Sequence, residues 1–304
     1  MTKRFSASSA KQLMACPGSA HLELAIPGYV EPDRDDAAGA KGVGTEIHAA
    51  LEPLAHYSTP DLGKLHRLVH AYAELPYTQR RLLAASRSEC DAWVNSGVIV
   101  MIGSETEKQF HEFLVSIAAL KLPPRTLRYL GDVIVYIWAL FVKHGMTRRV
   151  YTELRMTATW LPSQPTTTAD LVVVSDAGID VVDYKTGTIF VSVDDNDQMN
   201  FYGWTALLKL DPEQLYYEVG LHILQPGNLT GTTVSVRNLR KWAEQALAAD
   251  DAIAAKDLRL IPGDHCTFCP ANPHSRGDKS VVKCPAKMSQ LYPALIDEGE
   301  ILGV

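Results

Sequence analysis

The sequence predicts an α/β fold, and three observations carry that prediction. β-Branched, strand-like runs separated by turn residues cluster after Arg149, a helical pattern follows the third of them, and one or two further strands precede a last long helix. Residues 53–147, ahead of them, are mostly helical in pattern. An apolar fraction of 46% over 304 residues supplies an ample core for one large domain or two modest ones.

Taken in order, residues 8–24 open on serines and read as a short helix broken at Pro17-Gly18. A charged, glycine-bearing loop follows over 28–42. Thr45 then caps a helix running to about residue 55, with Glu46 in its first turn and Ile47 and Leu51 on one face. His48 and Glu52, four apart, share a face. Within 53–147 the segments 62–75, 79–93, 105–120 and 127–144 are candidate helices and 98–102 a candidate strand. Segments 150–156, 169–174 and 179–184 read as strands, the last two joined by a turn at Ser175-Asp176-Ala177-Gly178. A helix over 194–210 places Met199, Tyr202, Ala206 and Leu210 at helical spacing. Strands over 217–224 and 232–236, a helix over 239–256 and a loop-rich tail from Pro262 complete the chain.

Charge and composition narrow the function classes. A net charge of −6 argues against a generally basic nucleic-acid coat but leaves room for one basic face. Arg80-Arg81, Arg148-Arg149 and Arg240-Lys241, with Arg125 and Arg128, each read alone as solvated surface groups. No apolar run reaches the ~18 residues that a membrane helix needs, and the amino terminus lacks the apolar stretch of a secretory signal. These features predict an intracellular protein without a membrane segment.

The chemistry concentrates at Asp183-Tyr184-Lys185, which ends an apolar run, and at Asp170 on an equally apolar run. Residues two apart on a strand share a face, so Asp183 and Lys185 stand side by side. The expected picture is two acids at strand ends and a lysine, converging on a sheet edge. Such acids hold a hard divalent cation, which acidifies water and neutralises a phosphate, while the lysine positions the water and stabilises the pentavalent phosphate. A lone Asp-x-Lys most often caps a turn; two adjacent apolar strands and Gly187 after the lysine favour the phosphodiester reading. Gln198 and Tyr202, four apart on the next helix, face one side near the same strand end. His48 reads either as a core histidine or as a nitrogen ligand, the latter favouring manganese somewhat over magnesium.

The series Gly44-Thr45-Glu46-Ile47-His48, Thr168-Ala169-Asp170, Val182-Asp183-Tyr184-Lys185-Thr186-Gly187 and Gln198-Met199-Asn200-Phe201-Tyr202 resembles the RecB-like branch of the PD-(D/E)XK nuclease superfamily, phage and prophage type. The likeness runs from about residue 5 to 286. It implies a restriction-endonuclease-like core, a mixed sheet flanked by helices, in a single domain over 1–286 with a helical insertion at about 53–147 and a tail over 287–304. His48, Asp170, Asp183 and the Tyr184 carbonyl become metal ligands for Mg²⁺ or Mn²⁺, Lys185 the catalytic lysine, and Gln198 and Tyr202 groups that order the site and contact the DNA backbone. Glu153 is at most an assistant.

Five cysteines without an export signal do not suggest disulfides. Cys266-Thr267-Phe268-Cys269, Cys284 and a distant Cys16 resemble the cysteines with which several RecB-like nucleases hold a [4Fe–4S] cluster. The long gap between Cys269 and Cys284, containing Asn272, His274 and Arg276, keeps structural zinc open, with Cys16 or His274 as fourth ligand. Cys90 reads as a free thiol. The resemblance implies a DNA exonuclease of phage recombination or DNA processing in the cytoplasm of an infected or prophage-carrying bacterium. DNA is the expected partner; a phage single-strand annealing protein and a homo-oligomer are the further partners it admits. The competing reading is a DNA-binding or assembly subunit with weak or no nuclease activity.

Overall fold

The computed structural model describes residues 5–30, 47–48, 51–52, 59–93, 112–113, 124–187, 189–213, 215–273 and 282–291. The expected strand at 98–102, most of the expected helix 105–120, the Thr45 cap, loop residues 31–42, His274, Arg276, the side chain of Cys90 and the tail beyond residue 291 lie outside them. The fold is mixed α/β, with a five-stranded mixed sheet flanked by helices. Its strands are β1 (Arg149–Thr157), β2 (Thr166–Ser175), β3 (Gly178–Tyr184), β4 (Glu218–Gln225) and β5 (Asn228–Ser235), in spatial order β1-β2-β3-β4-β5. All neighbours run antiparallel except β3 and β4, which are parallel.

The α-helices whose bounds are described are α1 (Ala10–Ala15), α2 (Leu22–Ala25), α3 (Thr59–Glu74), α4 (Tyr77–Ala85), α5 (Arg87–Trp93), α6 (Pro124–His144), α7 (Asp197–Leu210), α8 (Val236–Ala254) and α9 (Pro285–Leu291). The single helix expected over 79–93 is two, because Ser86 takes extended backbone and ends α4. α7 makes the crossover that the parallel β3–β4 pair requires. Side chains set the starts of α7 and α8: Asn196 accepts from Met199 N, and Ser235, the last residue of β5, accepts from Asn238 N.

Both sheet faces are covered. Leu127, Leu130, Ile134, Ile137 and Phe141 recur at helical spacing on α6 and pack with α3 over Leu171, Val173, Val182 and Tyr184. On the other face α1, α7 and α8 cover Val172, Val174, Ile179, Val181, Leu221 and Ile223. The period-two split of β2 and β3 between the clusters explains why both strands read as continuous apolar runs.

At the amino-terminal end of β3, Asp180, 0% exposed, receives His144, His222 and Lys143 together. Burial opposes its ionisation, but the bonds from those two histidines and the lysine outweigh it and hold the carboxyl well below the usual range. Gly220 on β4 makes room: a Cβ there would stand 1.8 Å from Asp180 Oδ1.

Two expectations about the site's placement need correction. Asp170 is not at a strand end; it sits mid-strand in β2, because β2 pairs with β1 along its length but with β3 only from Leu171 onward. The acids also do not lie on a sheet edge, since β3 is the central strand and Asp183 stands at its carboxy-terminal end.

Candidate functional site

The β2–β3 ladder stops at the Leu171–Val182 pair. Beyond it side chains replace the backbone ladder: Asp170 Oδ2 accepts from Tyr184 N at 2.6 Å, and His48 Nε2 lies 3.1 Å from Tyr184 O. His48 Nδ1 is 3.5 Å from Asp170 Oδ1 and 3.9 Å from Glu153 Oε1. His48, Glu153 and Asp170 thus each offer a ligand atom within 4.8 Å of the others. His48 Nδ1 and the two carboxylates suit a divalent cation of the Mg²⁺ or Mn²⁺ kind, whereas the Tyr184 carbonyl, expected as a further ligand, meets Nε2 on the other side of the ring and does not join them.

Glu153 was undervalued by the sequence. It stands opposite Asp170 in the β1–β2 register, the one pair that this ladder skips, and its φ of 45° is left-handed backbone for a side-chain-bearing residue. Such strain costs of order 1–2 kcal/mol. Tyr151 and Leu154 on β1 both pack with the α7–α8 cluster, as do Ala169 and Val172 on β2. Alternation therefore slips in both strands at once, which turns Glu153 and Asp170 to the side where His48 lies.

Asp183, 4% exposed, heads a second group on the α7 side. Its Oδ2 lies 2.7 Å from Lys185 Nζ, and its Oδ1 accepts from Gln198 Nε2 at 3.3 Å. Gln198 also accepts from Lys185 Nζ at 3.1 Å and donates to Tyr202 OH at 2.9 Å. The structure so joins Asp183, Lys185, Gln198 and Tyr202, and sets them beside Asp170. From α6, Tyr129 OH donates to Leu224 O at 2.7 Å, bracing the strand end; sequence reasoning had singled out only the helix that carries it.

Electrostatics tie the two groups together. Burial, then the like charge of Asp183, pushes Asp170 up to about 7, against the pull of His48 and the Tyr184 N–H. Burial likewise raises Asp183, with Lys185 opposing. Burial and the Asp183 charge raise the Tyr202 phenol to about 12, so it remains a neutral hydrogen-bonding group. Among the basic groups, Arg80 is buried, Arg148 lies 4.4 Å over the Phe141 ring and Arg128 pairs with Glu74 at 2.7 Å.

Cys16, Cys266, Cys269 and Cys284 are buried free thiols that line one pocket with Leu22 and Leu260. Backbone N–H groups address each sulfur: Ile261 N reaches Cys16 Sγ at 3.3 Å across 245 residues, Gly263 N reaches Cys266 Sγ at 3.4 Å, Ala271 serves Cys269, and Ala286 and Lys287 serve Cys284. Burial raises Cys269 to about 11 and also raises Cys284. Four sulfurs with N–H donors in an apolar pocket fit a metal that holds them as thiolates. His265 lines the pocket too, but its Nε2 is taken by Ile261 O at 2.9 Å.

Among the described residues no helix is long and apolar enough to cross a membrane. No curated protein matches the chain. A solved structure titled "Crystal structure of SSO0001" is similar over 55% of this chain and 76% of its own, at 14% identity and a TM-score of 0.28. The family described as "Protein of unknown function (DUF2800)" matches residues 128–302, which hold all five strands, Asp170, Asp183, Lys185, Gln198, Tyr202 and three of the four clustered cysteines. The chain belongs to that DUF2800 family.

Proposed function

We propose that this protein is a divalent-cation-dependent deoxyribonuclease with a PD-(D/E)XK core of the RecB-like kind, acting as an exonuclease in phage recombination or DNA processing. The observation that carries the reading is the nearness of two groups linked through Tyr184 N: His48, Glu153 and Asp170 on one side, and the Asp183–Lys185–Gln198 ring on the other. A bound Mg²⁺ or Mn²⁺ supplies Lewis-acid neutralisation of phosphate charge and a more acidic water. His48, Glu153 and Asp170 would hold the cation, while Asp183, expected as a ligand, lies outside that triad and binds Lys185 and Gln198. Lys185, fixed by Asp183 and Gln198, donates to the scissile phosphate and attacking water, and Gln198 and Tyr202 keep the lysine aimed. Cleavage leaves a 5′-phosphate and a 3′-hydroxyl.

The four cysteines hold a [4Fe–4S] cluster, or zinc on the same thiolates, joining the Cys16 segment to the carboxy-terminal turn. The test of the nuclease reading compares Lys185→Ala and Asp183→Ala with the wild type on linear and circular DNA in Mg²⁺ or Mn²⁺. Loss of cleavage in both variants is expected; undiminished cleavage by both removes the mechanism. Salt-sensitive DNA binding without cleavage by the wild type would favour the assembly-subunit reading.

A further inference from the structure

The loop between β3 and α7 carries Ile189 and Phe190, 65% and 69% exposed, which neither core cluster absorbs. A mobile loop could show two apolar side chains by accident, but this one is pinned. Gln225, 3% exposed at the end of β4, spends its whole amide on it. Nε2 donates to Gly187 O and Ile189 O, both at 2.6 Å, and Oε1 accepts from Val191 N at 3.1 Å. Asn228 Nδ2 donates to Val191 O at 3.2 Å, and Asn196 Nδ2 to Ser192 O at 2.7 Å. The loop's neck is the site itself, for Lys185 before it bonds Gln198 after it.

We infer that Ile189 and Phe190 form a rigid platform on which bases of a single-stranded DNA segment stack as the strand leaves the site. The inference rests on the nuclease reading for its substrate. Phe190 is the fifth residue after Lys185, so their Cα atoms lie at most about 17 Å apart, which puts the ring within a few nucleotides of the scissile phosphate. Two side chains are far too little for a stable protein interface, which buries of order 1,200–2,000 Å². They match one or two bases, whose faces stack on apolar rings without regard to sequence.

The test uses the full-length protein, with EDTA present so that cleavage does not intervene, and an oligo(dT) carrying one 2-aminopurine. The wild type should quench the probe. Phe190→Ala should bind roughly 5- to 100-fold more weakly and lose the quench, Phe190→Trp should keep both, and Phe190→Leu should lose the quench. Unchanged thermal midpoints are expected, since the ring is exposed. Binding by Phe190→Ala equal to wild type, affinity lost while base emission never changes, or no binding by the wild type overturns the inference. If the wild type cleaves with Mn²⁺ yet binding ignores Phe190, only the platform falls. If cleavage is absent while Phe190-dependent quenching persists, only the nuclease reading falls.

Discussion

Lowering the pH from 8 to 5 should weaken Mn²⁺ binding by about two orders of magnitude, with the break near pH 7. The cause is Asp170, whose carboxyl is pushed up to about 7 by burial and by Asp183. A cation binds the carboxylate and must displace the proton. One such group leaves the apparent Kd about twofold weaker at pH 7, tenfold at pH 6 and a hundredfold at pH 5, or about 1.4 kcal/mol per unit. Asp183, also raised, steepens the fall if it too must shed a proton. Stability without cation should move the opposite way. The folded state binds the Asp170 proton more tightly than the unfolded state, so its contribution is fullest below about pH 4 and is lost as pH rises toward 7. From 3.8 to about 7 the loss is about 4 kcal/mol for this group alone, and cation binding offsets it. Isothermal titration in buffers of different ionisation enthalpy counts the protons: about one released per Mn²⁺ at pH 6 and nearly none at pH 8. A flat Kd from pH 5.5 to 8 with no proton release would refute the reasoning.

Glu153 separates strain from ligation. Glu153→Gly relieves the left-handed backbone and should raise the unfolding free energy read from urea by up to about 1 kcal/mol, whereas Glu153→Gln keeps the strain; both should weaken Mn²⁺ at least about tenfold, and wild-type affinity in both would discount Glu153. Asp180→Asn should cost about 3–5 kcal/mol in urea unfolding, because it leaves Lys143 and the two histidines against a neutral amide. Asp180 is held below the usual carboxylate range, so its contribution is present above about pH 4 and lost only as pH falls toward its lower folded value; an acid midpoint equal in wild type and Asp180→Asn would count against this. Cys269→Ser should abolish visible absorption near 400 nm in anaerobically purified protein if iron–sulfur is held, while stoichiometric zinc in a colourless wild type would decide for zinc.

Much of the fold was legible because each strand carries its own signal. The β-branched runs after Arg149 became β1, β2 and β3, each a residue or more longer than expected, since Thr166, Thr167 and Thr168 are polar where β2 extends past its apolar part. Lys185, Gln198 and Tyr202 gather with Asp183 as spacing led one to expect, because two residues along a strand and four along a helix are local periods. The break at Ser86 was not legible: a single backbone turn leaves the apolar spacing on both sides intact. Arg80 and Arg148 look like surface charge in sequence, and burial or an aromatic partner shows only in three dimensions.

Glu153 shows what kind of information a single strand lacks. Its own run, Thr152-Glu153-Leu154, gives no reason to prefer it over any exposed strand acid. Its place depends on register with β2, which pairs Thr152 with Leu171 and Leu154 with Ala169 and so leaves Glu153 facing Asp170. It depends further on both strands slipping phase at that pair, for with regular alternation one of the flanking residues, Tyr151 or Leu154, would leave the α7–α8 cluster. The slip also removes Asp170 from the ladder to β3, freeing its carboxylate to take the Tyr184 N–H while His48 meets the Tyr184 carbonyl. One local distortion thus opens the sheet, leaves a backbone carbonyl to a histidine and turns two acids toward the same ring. A strand that kept perfect alternation through residue 153 would be the more stable strand and would have no place for a cation.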